Sequence, residues 1–224
     1  MRSRANPQVF VDAGNRVDTR GDGRAGLVES KRKRRYGNRT SMSSRFTKVV
    51  ILAEDERSAN LLRRYVQRAL HINNRRIRQE ISPSAQGDAK HWVLGRYPIE
   101  VKELRSRHPK TGLVVHLDAD NETVAKRAAQ LAATLKSNGQ DDREANEWIS
   151  HAIPRRHTET WLCVLTGKAV DEEQDCKRER LLPDYDAVVQ QAALALYELT
   201  RANAPPPTLP SLATAVPELR RLET

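Results

Sequence analysis

Three acidic residues have the type and spacing to hold a cation. Glu54 directly follows the apolar run Lys48-Val49-Val50-Ile51-Leu52-Ala53. Asp118 and Asp120 directly follow a second run, Leu113-Val114-Val115-His116-Leu117. Both runs read as buried parallel strands, because they are continuous in apolar and β-branched residues rather than alternating. The carboxyl ends of parallel strands share one edge of an α/β sheet, where ligands bind. If the two strands are neighbours, the three carboxylates converge. Without a cation they would repel one another and raise one another's pKa values. Mg²⁺, or Mn²⁺ in its place, removes that cost, using one or two carboxylates with water and phosphate oxygens as the remaining ligands. Its chemistry there would be polarisation of a phosphodiester and activation of water. Each cluster taken alone has a plainer reading, since both precede helices and acids are favoured at helix N-termini.

A further set of residues could assist. Glu159 sits beside Trp161 in an otherwise apolar helical stretch, where an unpaired carboxylate is costly. It is a candidate ligand or general base, or the partner of Arg155 or Arg156 in an ion pair. Arg155 and Arg156 could clamp phosphate or serve as ordinary surface charge, and Lys90 is a further phosphate candidate. His116 lies inside a strand and reads as a core or edge residue. His151 and His157 are six residues apart, which does not put them on one helical face. Trp92, Trp148 and Trp161 read as packing residues. The 10 glycines include no cluster after a strand, which excludes a glycine-loop nucleotide cradle.

The elements that must carry these groups alternate. A helix follows Glu54, with Leu61, Leu62, Tyr65 and Val66 on one face and Arg63, Arg64 and Arg68 on the other. A strand is expected near Arg76–Ile81, a loop at 82–88, a helix from Ala89 to Arg107 with a bend near Pro98, and a helix from Thr123 to Lys136. A further strand is expected over Glu147–Ile153, followed by helices over Thr158–Thr166 and Asp184–Ala202. Ala204-Pro205-Pro206-Pro207 stops the last of these, and Ser211–Leu222 reads as a short amphipathic helix that could dock a partner or pair two copies. Such alternation predicts an α/β fold: a three-layer, Rossmann-like, mostly parallel sheet flanked by helices. The expected organisation is a basic N-terminal extension over 1–45, an α/β domain over 46–200 and a Pro-rich tail with a short helix over 201–224.

Charge is unevenly placed. The chain of 224 residues carries a net +10, and residues 1–41 hold 11 Lys/Arg against 4 Asp/Glu. That segment includes Lys31-Arg32-Lys33-Arg34-Arg35, a run suited to phosphates. Low hydrophobicity with high charge equally predicts a disordered tail, or an upstream extension ahead of Met42. Apolar residues make up 38% of the chain, and no run is long enough to span a bilayer. The N-terminus has no apolar signal core. Two cysteines, Cys163 and Cys176, are too few for a disulfide framework and lack zinc-site spacing. The expectation is a cytoplasmic protein.

The Glu at the end of the first strand, followed by Asp-x-Asp after a hydrophobic strand, resembles the signature of TOPRIM domains. Those domains occur in topoisomerases, primases and a class of nucleases of bacterial defence loci. The closer resemblance is to small stand-alone TOPRIM-like proteins of bacteria. It covers about 48–180, through Gly87–Tyr97, Leu117-Asp118-Ala119-Asp120, Ile153-Pro154-Arg155-Arg156-His157-Thr158-Glu159-Thr160-Trp161, Val170-Asp171-Glu172-Glu173 and Asp175-Cys176-Lys177-Arg178. The resemblance implies metal-dependent cleavage of DNA or RNA, often beside an ATPase or other defence component. The chain departs from the pattern at Asp55, where a glycine is usual; Asp55 could share the ligand role or change how the loop holds metal.

Three functions follow as alternatives. The first is an Mg²⁺-dependent nuclease in anti-phage defence. The second is a receiver-like phosphoacceptor, against which stand the 64-residue interval from Glu54 to Asp118 and the lack of a late strand ending in lysine. The third is a TOPRIM-like interaction subunit with weak or no catalysis, in a larger ATPase-containing complex or as a homo-oligomer.

Overall fold

The computed structural model describes residues 46–83, 88–107, 110–120, 122–174, 176, 185–202 and 209–223. The expected N-terminal extension and the 82–88 loop from Ser84 to Gly87 lie outside them, as does the Pro-rich stretch. So do Asp175 and the end of the charged loop at 177–184.

Among the described residues, four strands form one sheet: β1 (Lys48–Ala53), β2 (Ile77–Ile81), β3 (Thr111–His116) and β4 (Ile149–Ala152). Every pairing is parallel, and the order is β2-β1-β3-β4. Among the described residues, six α-helices flank the sheet: α1 (Glu56–Ala69), α2 (Ala89–Arg107), α3 (Val124–Ser137), α4 (Thr158–Leu165), α5 (Tyr185–Ala202) and α6 (Pro210–Arg220). This is the three-layer, Rossmann-like α/β arrangement that the alternating sequence pattern predicts. A 3₁₀ turn, Asn74–Arg76, precedes β2. Helix α2 runs through Pro98.

Period-2 alternation of the strands sorts the core into two layers. Val50, Leu52, Leu113, Val115 and Ile149 meet Val93, Tyr97 and Val101 of α2 and Leu131 and Leu135 of α3. Val49, Ile51, Ala53, Val114 and Ala152 face α1, α4, α5 and α6, with Tyr65, Trp161 and Leu196 among the side chains packed there.

Helix α6 packs into the core of the sheet domain. Its Leu212, Ala215 and Leu219 belong to the same core as β1 and α1, and Ser41–Thr224 form one compact unit. The helix also closes the outer edge of β4. Glu218 Oε2 accepts from His151 N at 3.1 Å, and Arg221 Nε donates to Ile149 O at 3.1 Å. Side chains thus occupy groups that an open edge would offer to another strand.

The chain moves from β1 outward to β2, then back across β1 to β3 on its other side. The strand order therefore reverses between β1 and β3, and in such folds a ligand crevice opens at that point, outside the carboxyl ends of the strands.

Candidate functional site

Glu54 leaves the end of β1 and Asp118 lies two residues past β3, so the reversal point brings them together. The backbone N–H of Asp118 donates to Glu54 Oε1 at 3.2 Å. The condition set by the sequence, that the two strands be neighbours, is met by five Cα pairings between β1 and β3.

Both carboxyls are held away from their ordinary behaviour. Burial pushes Glu54 from 4.5 up to about 7, and the negative charges of Asp120 and Asp55 add to the push; the Asp118 N–H and Arg127 act against it. Burial also raises Asp118 well above the carboxylate range, reinforced by Glu54, Asp55, Asp120 and Glu159. Asp118 Oδ1 is buried with no hydrogen-bond partner. The nearest cationic candidate, His116 Nε2, stands 3.7 Å away. Burial depresses the His116 pKa to about 4, so its imidazole is neutral at ordinary pH and brings no counter-charge.

Asp120 occupies a different position. Its backbone is left-handed, φ 54°, a conformation that Asp tolerates better than most residues. Two guanidiniums hold the turn in that shape. Arg127 Nη2 donates to Ala119 O at 3.0 Å, and Arg155 Nη1 donates to Asp120 O and Glu122 O, each at 2.7 Å. The Asp120 carboxylate is 43% exposed, with Lys90 Nζ at 3.5 Å and Arg127 Nη2 at 3.6 Å. Lys90, from the first turn of α2, therefore reaches the acidic group.

The remaining sequence candidates are placed as follows. Glu159, in the first turn of α4, is nearly buried, and its Oε1 accepts from Arg57 Nη1 at 2.7 Å. Its ion-pair partner is thus Arg57, not Arg155 or Arg156. The Arg155 side chain bonds the Asp120 turn and also pairs with Glu173 Oε1 at 3.6 Å, and Arg156 pairs with Glu173 through Nε at 3.1 Å. Asp55 caps α1: Ser58 N donates to Oδ1 at 2.9 Å and Ser58 Oγ to Oδ2 at 3.2 Å. The residue that departs from the TOPRIM pattern is thereby engaged in starting a helix, a contact worth about 1 kcal/mol.

Sequence reasoning missed a buried polar chain behind the acids. Ser58 Oγ meets Thr158 Oγ1 at 2.7 Å, and Thr158 Oγ1 meets His116 Nε2 at 2.8 Å. It ties α1, α4 and β3 together directly beneath Glu54 and Asp118. The signals were present: Asp55 and Ser58 have N-cap spacing, and His116 shares a strand face with Asp118. Arg127, 2% exposed on its side chain, had no comparable signal in an Ala- and Leu-rich helix.

An open cleft of about 370 Å³ adjoins the acids, lined by Glu54, Asp55, Glu56, Ile81, Ser82, Pro83 and Ala89. Among the described residues, no three His, Cys, Asp or Glu side chains are grouped so as to close on a metal ion. Mg²⁺ does not require such a cage, because it keeps waters and takes phosphate oxygens beside one or two carboxylates. Glu54 and Asp118 supply that number, and the orphaned Asp118 Oδ1 fits an oxygen-seeking cation.

Among the described residues, no helix is long and apolar enough to cross a membrane. No family model matches the chain, and neither curated proteins nor solved structures yield a match.

Proposed function

We propose that the chain is an Mg²⁺-dependent nuclease on a TOPRIM-like domain, cleaving phosphodiesters of DNA or RNA in the cytoplasm as part of a bacterial defence system. The observation that carries this reading is the meeting of Glu54 and Asp118 at the reversal between β1 and β3. Burial raises both carboxyls, the charge of Glu54 raises Asp118 further, and Asp118 presents an unpartnered oxygen. An arrangement that destabilises itself without a cation is a recognised mark of a functional site.

In this reading Glu54 and Asp118 hold the cation, which supplies charge neutralisation at the phosphate and activation of a water. Asp120, 43% exposed at the front of the turn, would serve as a further carboxylate ligand to the cation. Lys90 beside it contacts a non-bridging phosphate oxygen. Glu159 sets the local field and orients Arg57 rather than touching the substrate. The turn at 118–122, held by Arg127 and Arg155, keeps the acids in place.

The deciding experiment is calorimetric titration of Mg²⁺ and Mn²⁺ into the wild-type chain and into Asp118→Asn, followed by incubation of both with plasmid DNA and RNA. The nuclease reading expects metal binding and metal-dependent cleavage in the wild type and neither in the variant.

A second reading is an interaction subunit, paired with an ATPase or with its own copies, that binds metal without turnover. It is favoured by the engagement of Asp55, Glu159 and Arg156 in contacts within the chain. Metal binding without cleavage of any nucleic acid selects it.

A further inference from the structure

Helix α1 leaves the acidic site with a basic outer face. Arg57, Arg64 and Arg68 fall at i, i+7 and i+11, one stripe along the helix. Their spacings are about 10 Å and about 6 Å along the axis. The only acid on the helix is Glu56, in its first turn. Arg57 stands at the site end, bonded to Glu159.

Farther along, α1 packs against α5, and the two enclose an open groove of about 280 Å³. Its walls are Arg64, Gln67 and Arg68 from α1 and Gln190, Ala193 and Leu194 from α5. Among the described residues, guanidinium and amide donors line it and no carboxylate does. Among the described residues, Arg64 pairs only with Asp186, 4.0 Å away and 87% exposed on its side chain, a pairing too loose and too wet to neutralise it. At the far end, Arg68 and Arg201 both lie over the Tyr197 ring, 5.8 Å and 5.5 Å from its centroid. Arg201 extends the basic surface, with Glu198 as the one acid flanking it on α5.

We infer that this face of α1 and its groove against α5 bind the phosphodiester backbone of a nucleic acid and lead it to the acidic site. Donor-rich walls with several guanidiniums in line suit a repeating anion, and guanidiniums contact phosphates bidentately. Contacts of this kind read charge rather than base edges, so the binding is independent of sequence. The inference rests on the nuclease reading for what happens at the end of the track, but binding itself needs no metal.

The test uses the full chain in EDTA and a fluorescently labelled oligonucleotide, single-stranded and duplex, with anisotropy measured across a salt series. Arg64→Gln/Arg68→Gln is expected to lower the slope of log affinity against log salt by about 2, about 1 for each phosphate no longer neutralised. Arg64→Lys/Arg68→Lys is expected to restore most of it. Lys102→Gln/Lys136→Gln, on α2 and α3 across the sheet, is expected to bind as the wild type does. If the first variant does not fold, Arg64→Gln alone reads half the change. Unchanged binding by the arginine variants overturns the inference, as does equal weakening in the lysine variant or no binding by the wild type. Metal-dependent cleavage is scored separately: cleavage with unchanged binding by the arginine variants sinks the surface and leaves the nuclease standing, whereas weakened binding by those variants without any wild-type cleavage does the reverse.

Discussion

The amide of Asp118 donates to the carboxylate of Glu54 across neighbouring parallel strands, at 3.2 Å. One backbone N–H is a small compensation for two acids placed at one sheet edge. Glu54 sits at about 7 because burial and the charges of Asp120 and Asp55 outweigh that bond and the pull of Arg127. Asp118→Asn removes one of the repelling charges while keeping the shape. It is expected to raise the melting temperature of the metal-free protein while abolishing Mg²⁺ binding. A variant that melts lower than wild type in EDTA would show that the Asp118 charge is compensated by something other than a cation.

The pH dependence follows from the same shift. A carboxyl whose folded pKa lies above its unfolded value binds more protons folded than unfolded between the two. Stability then falls as pH rises through that window. For Glu54 the window runs from 4.5 to about 7, and the full penalty, on the order of 3 kcal/mol, is present above it. His116 titrates in the opposite sense, since its depressed pKa, about 4, makes stability rise with pH from there to 6.5. The two effects separate by difference. Wild type measured against Glu54→Gln by urea unfolding in EDTA is expected to lose ground from pH 5 to pH 8, and saturating Mg²⁺ is expected to recover it at pH 8. A flat difference across that range contradicts the raised pKa.

Arg127 and Arg155 act through the backbone of the Asp-x-Asp turn. Arg127→Ala leaves Ala119 O without its buried donor and removes a side chain packed in the core. The orphaned carbonyl alone is expected to cost about 1–3 kcal/mol, with the lost packing in addition. Arg155→Lys keeps the charge, but an ammonium does not reproduce the guanidinium geometry that reaches Asp120 O and Glu122 O together. The expected outcome is a folded protein with Mg²⁺ affinity reduced about 10- to 100-fold, as for other residues that orient ligands. Calorimetry on Arg155→Lys with a melting temperature near wild type separates positioning from simple destabilisation.

How much of this was legible depended on whether the signal was local. Val49–Ala53 and Leu113–Val115 announce buried strands by composition alone, and both stand at the centre of the sheet. The acids after them were legible for the same reason, because a strand end is a position along the chain. Partners across the fold were not. The sequence offers Glu159 its chain neighbours Arg155 and Arg156 as partners, yet it meets Arg57, 102 residues away in sequence. The pairing arises because α1 and α4 lie on the same face of the sheet, which periodicity does not reveal. Helix α6 reads as an appendage because Pro205-Pro206-Pro207 marks a break. The break is local, whereas the burial of Leu212 and Leu219 is a property of the assembled core.

That burial supports a last prediction. Leu212 and Leu219 are fully buried against the layer containing β1, α1 and α5, and Arg143 Nη2 holds Glu218 Oε1 at 2.8 Å from beside β4. An amphipathic helix kept for docking a partner would tolerate truncation of its apolar face in the isolated protein. A helix that closes the core would not, since a Leu→Ala cavity costs about 2–5 kcal/mol. Leu212→Ala and Leu219→Ala are each expected to lower the unfolding free energy, read from the urea midpoint, by that amount. Glu218→Gln is expected to cost less, because it keeps an acceptor for His151 N while loosening the Arg143 pair. Wild-type stability in both leucine variants would return α6 to the role of a separable docking element.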